Sequence, residues 1–104
     1  MTGTEKQIKW AEDIINNPVE AMEKHIEWAK EFAPAEIAPV AKAIEAYRAM
    51  IAKGGANADD AAFIIDHRSR FAAAAKKILT REFIAAGNQY PVCNVQNIAR
   101  MFKY

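Results

Sequence analysis

The sequence predicts an all-α protein folded as one domain over residues 1–104, with four to five short helices packed orthogonally or bundle-like around a central fourth helix. Three observations predict it. Apolar residues recur at helical spacing in every segment bounded by Pro, Gly or Asn, and strand-like alternation is absent. With 52% hydrophobic and 26% charged residues, the chain has the composition of a globule and is long enough to bury a modest core without staples. The stretch Asn57 to Leu79 carries the longest helical pattern, and the other segments are expected to pack against it.

The elements follow in order. Thr4-Glu5-Lys6-Gln7 has the form of a capping box, so a first helix begins there, with Ile8, Ala11, Ile14 and Ile15 on its apolar face. Asn16-Asn17-Pro18 predicts a stop, because proline lacks the N–H that a helix interior needs. Asn17 also suits the N-cap of a second helix from Pro18 to about Ala33. That helix has Val19, Met22, Ile26 and Ala29 inside and an outward ridge of Glu20, Glu23, Glu27 and Glu31.

Pro34 to Pro39 reads as a connector, since two prolines so close exclude a regular helix through both. A third helix with Ile37, Val40, Ile44, Tyr47 and Ile51 on one face ends at Gly54-Gly55, where a positive φ is easily adopted. Asn57 is the expected cap of the fourth helix, with Asp59 and Asp60 in its first turn. The helical pattern extends through Phe83 to Gly87, with a restart at Thr80 as the alternative. Gly87 to Pro91 is loop, and a short last helix from about Asn94 to Phe102 presents Val95, Ile98, Ala99 and Phe102 to the core.

Within the fourth helix one residue conflicts with the pattern. Taking Ala61 as 0° and stepping about 100° per residue, Arg68 falls at about 340°, among Ile64, Phe71, Ala75 and Leu79. A guanidinium facing the core requires a carboxylate, backbone carbonyls or an outside anion. Glu12 is the carboxylate this reading selects, and an acidic or phosphate ligand is the functional alternative. Arg70, Lys77 and Arg81 fall at about 160–200°, forming a basic ridge about 16 Å long that suits phosphates. Trp10 and Trp28 lie at the edges of their stripes, where a tryptophan either closes the core or anchors a partner.

Charge divides the chain. Up to Asp60 there are 7 Lys+Arg against 11 Asp+Glu, a net of −4; from Ala61 onward there are 7 against 2, a net of +5. Either the two halves fold onto each other or the basic half meets an acidic partner.

Catalytic chemistry finds little support. His25, His67 and Cys93 have no metal-ligand spacing, and the sequence contains no HExxH, CxxC or Gly-rich phosphate loop. Both histidines sit on flanks shared with aromatics, where a packed imidazole is the ordinary case. Asp66-His67-Arg68 resembles a catalytic triplet, but adjacent helical residues diverge by about 100° and do not converge on a substrate. No cofactor or metal is expected. The lone Cys93 requires no oxidising compartment, and neither a signal peptide nor a span of about 20 apolar residues is evident, so a cytoplasmic, membrane-free protein is expected.

At TEKQIKWAEDI and AAFIIDHR the chain resembles small uncharacterised helical domains of bacterial and phage genomes, in which a TEKQ-x-x-WAE opening precedes an aromatic-Ile-Asp-x-Arg element. The resemblance implies a bacterial or mobile-element origin and carries no activity with it. The reading is therefore a non-enzymatic binding or regulatory protein that occupies a surface of another macromolecule, in the manner of small phage proteins that inhibit a host nucleoprotein complex. Its candidate binding residues are Trp10, Trp28, Arg68, Arg70, Lys77 and Arg81. A protein partner is expected first. Direct binding of nucleic acid by the ridge is the rival, and a homodimer joining glutamate ridge to basic ridge is a further candidate.

Overall fold

The computed structural model describes residues 1–54 and 59–104. Among the described residues five α-helices carry the fold: α1 (Glu5–Phe32), α2 (Ile37–Ala52), α3 (Ala61–Asp66), α4 (Ser69–Ala85) and α5 (Pro91–Ala99), with a 3-10 turn at Pro34–Glu36 between α1 and α2. Strand character among the described residues is limited to an isolated bridge between Thr2 and Asp60. The all-α single domain read from the sequence is the architecture found.

The expected break at Pro18 does not occur, and the first two predicted helices are one helix of 28 residues. Its Thr4–Gln7 capping box forms as expected, with Thr4 Oγ1 accepting from Gln7 N at 3.2 Å and Gln7 Oε1 accepting from Thr4 N at 3.0 Å. An interior proline costs about 3 kcal/mol in an isolated helix. Here tertiary structure offsets it. Ile14, Pro18, Met22, His25 and Ala29 stay in phase and are buried, so a corner at Pro18 would tear a continuous inner face. Tyr47 of α2 donates its hydroxyl to the Ile15 carbonyl at 2.7 Å. Asn17, instead of capping a new helix, is buried and accepts the backbone N–H of Lys103 at 2.9 Å.

The long fourth helix is the second correction: Asn57 to Leu79 does not form one helix. Gly55 and the expected cap Asn57 lie outside the described residues. Asp60 caps α3, its carboxylate accepting from the N–H groups of Ala62 and Phe63. The helix then breaks at His67 and Arg68, and the carbonyls at the break are satisfied locally. Phe63 O receives the His67 backbone N–H at 3.0 Å and lies 3.0 Å from His67 Nδ1, while Ile65 O accepts from Arg68 Nη1 at 2.8 Å. Side chains that bond nearby carbonyls compete with helix continuation.

α4 continues past Thr80, whose hydroxyl bonds back to Lys76 O at 2.8 Å, so no restart occurs there. It ends in a Schellman motif, with Gly87 at φ +76°, Gly87 N bonding to Ile84 O and Asn88 N to Phe83 O. α5 starts earlier than expected because Pro91 opens it, where its missing N–H costs nothing.

Two buried clusters result. In the larger one Met22, Val40, Tyr47, Leu79, Phe83 and Ile98 join α1, α2, α4 and α5. In the smaller one Ala11, Ile14, Ala61, Ile64 and Phe71 join the N-terminal half of α1 to α3 and the start of α4. The segment from Ala61 to Phe83 thus feeds both, which keeps it central although it is two helices. At the seam, Gly3 has φ +139°, and a Cβ there would lie 2.9 Å from Ala61 Cβ, so only glycine lets the chain lie against α3.

Candidate functional site

A cleft of about 430 Å³ lies where α1 meets the end of α5. On α1, Lys24, His25 and Trp28 lie within one helical turn and form the floor and one wall. Asn97 of α5 and Met101 in the turn that follows form the other wall. That turn is held by the bonds of Met101 N to Ile98 O and Phe102 N to Ala99 O, both 3.0 Å, while Phe102 packs on the larger core cluster.

His25 belongs to the floor and is 5% exposed. Its Nε2 lies 2.9 Å from Glu36 Oε1, a carboxylate brought over α1 by the 3-10 turn. Prolines at 34 and 39, which read as a connector, thus place the partner of His25. The pair fixes the imidazole plane and clasps the turn to α1. Trp28 lies over His25 with ring centroids 5.1 Å apart, and Phe32 continues the row at 5.6 Å. Trp28, Phe32 and Met101 are 47%, 68% and 37% exposed, so apolar surface runs out of the cleft along α1. A sequence offers one signal for this row, aromatic residues at 25, 28 and 32. Glu36, Asn97 and Met101 were not readable as its neighbours, because each depends on how distant turns fold.

The other predicted residues separate into two places. Arg68 does not face the core and does not pair with Glu12: it is exposed at the break between α3 and α4. Its guanidinium lies 5.7 Å from the Trp10 ring, which is itself 44% exposed. Tyr104 donates its hydroxyl to the Asp13 carboxylate beside them. That bond, together with the neighbouring negative charge, raises the phenol above its ordinary range. Trp10 and Arg68 are therefore neighbours, and Trp28 is in the cleft.

Arg70, Lys77 and Arg81 all lie on α4 and are exposed, as the ridge requires. Arg70 sits 6.0 Å from the Phe63 ring, near the limit of such an attraction. Lys77 and Arg81 join Lys76, Thr80 and Ile84 around a shallow trough of about 450 Å³. Asp66, which a continuous helix would place on the same face, belongs to α3 instead.

The Asp66-His67-Arg68 triplet does not converge. His67 stacks on Phe63 with centroids 4.1 Å apart, and Arg68 is engaged with Ile65 O. Among the described residues no group of three or more His, Cys, Asp or Glu is arranged to hold a metal ion, and no helix is long and apolar enough to cross a membrane.

No protein-family model, curated protein or solved structure matches the chain.

Proposed function

We propose that the protein is a non-enzymatic binding module that acts by occupying the surface of another protein, with the α1–α5 cleft as its contact surface. The observation that carries this reading is Trp28, 47% exposed at the mouth of a cleft whose far wall is Met101. Leaving a tryptophan half in water forgoes burial worth about 1 kcal/mol or more, and tryptophan is enriched among the residues that dominate binding energy at protein interfaces. Around that ring the lining offers Lys24, a carboxylate-braced imidazole and the Asn97 amide, polar groups that can orient a partner's backbone or side chains.

The test is affinity capture from a bacterial lysate, with and without nuclease. A partner protein retained after nuclease by the wild type and by the Lys77→Glu/Arg81→Glu double variant, but lost on Trp28→Ala, is the expected result. Capture that ignores Trp28→Ala overturns the reading.

A second reading is kept because four cations, Arg70, Lys76, Lys77 and Arg81, are exposed along α4. Nucleic acid bound there would weaken steeply with salt. Nuclease-sensitive capture abolished by the double variant supports it, and a flat salt response discards it.

A further inference from the structure

The cleft's lining is asymmetric in charge. Among its five residues Lys24 is the one fixed cation, and none is a carboxylate. Glu36 stands behind His25 with Oε1 bonded to the ring, so its charge is already engaged. Lys24 has no carboxylate within ion-pair distance among the described residues, whereas the nearby Glu27 is engaged by Lys30 at 2.9 Å and Glu23 lies 3.8 Å from Arg48. Two of the four ridge glutamates of α1 are thus paired, one with Lys30 and one with Arg48 of α2, while Lys24 remains unpaired among the described residues and faces the cleft. Asn97 lines the same cleft, and its side-chain amide can donate to an anion there. The Trp28 ring and the Met101 thioether also line it, a pairing that favours a flat ring.

Resting on the reading of this cleft as the protein's contact surface, we propose that its occupant is a partner polypeptide segment in which an aromatic side chain is flanked by a carboxylate. The ring lies between Trp28 and Met101, and the carboxylate meets Lys24 and Asn97. The length of the apolar path argues for a polypeptide over a small molecule. From His25 through Trp28 the rings continue to Phe32, 68% exposed and outside the cleft, so the surface built for contact is longer than one ring.

Calorimetry with capped peptides tests this. One peptide carries an Asp-Phe-Asp core and another Asn-Phe-Asn, and 1-naphthoate serves as the small-molecule arm. The acidic peptide is expected to bind about fivefold more tightly than the neutral one, as one partly desolvated ion pair allows. Lys24→Gln should erase that ratio while leaving the melting temperature unchanged, since Lys24 is exposed. Equal affinities for the two peptides, or a ratio that survives Lys24→Gln, overturn the proposal. Naphthoate binding as tightly as the acidic peptide overturns the polypeptide as occupant. If Trp28→Ala abolishes capture of a partner protein but no acid preference exists, only this inference falls. If capture ignores Trp28→Ala, the contact-surface reading falls with it.

Discussion

Tyr47 donates its hydroxyl to the carbonyl of Ile15 at 2.7 Å, in the turn of α1 where Pro18 cannot supply an N–H to Ile14. The tyrosine is fully buried in the larger core cluster, so its ring is packing and its hydroxyl ties α2 to the proline-bearing turn of α1. Tyr47→Phe keeps the ring and deletes the bond. The expected loss is about 1 kcal/mol of unfolding free energy in urea titration, with no change in helix content. A stability equal to wild type would show that the bond does not support the Pro18 turn.

The same residue sets an alkaline limit. Burial raises the Tyr47 phenol well above its ordinary value of 10.0. The unfolded state therefore gives up this proton first as pH rises. The stabilisation associated with Tyr47 is fully present below about pH 10 and is lost above it, toward the raised folded value. Stability against pH should be flat through pH 9 with respect to this group and fall beyond 10. In Tyr47→Phe this part of the fall should disappear.

Local rules located most of the fold, and tertiary structure overrode them at two places. The Thr4–Gln7 box and the helix stops at Gly54 and Gly87 were legible because each is set by neighbours within a turn. Pro18 does not stop the helix although its local cost is plain in the sequence, because the burial of the α1 inner face that offsets it depends on distant elements. The break at His67 and Arg68 was hidden for the opposite reason. Ala61, Ile64, Phe71, Ala75 and Leu79 keep helical spacing across it, so the apolar stripe continues where the backbone does not. Of the site, the aromatic row on α1 could be seen. Its opposite wall and the Glu36 brace could not, because they arrive through turns whose direction depends on the whole core.

Arg68 follows from that break. Its guanidinium is exposed, bonded to Ile65 O and set over Trp10, so it stabilises through a capped carbonyl and a solvent-screened cation–π contact. Arg68→Leu should cost about 0.5–1 kcal/mol, whereas removing the charged partner from a buried pair would cost about 3–5 kcal/mol. Thermal unfolding distinguishes these ranges, and a loss in the upper one would return Arg68 to the interior.

Glu36 is where stability and the cleft meet, since its carboxylate holds the buried His25 ring at 2.9 Å. In Glu36→Ala the His25 nitrogen is left without its acceptor, which should cost about 1–3 kcal/mol. The ring beneath Trp28 should also lose its fixed plane. Glu36→Gln keeps an acceptor oxygen in nearly the same place and should recover much of the loss. In a Trp10→Phe background Trp28 is the only remaining tryptophan, so its emission reports the cleft directly. Emission should shift in Glu36→Ala and return toward the parent in Glu36→Gln. If both variants leave stability and Trp28 emission untouched, the His25–Glu36 pair neither clasps the 3-10 turn nor shapes the cleft.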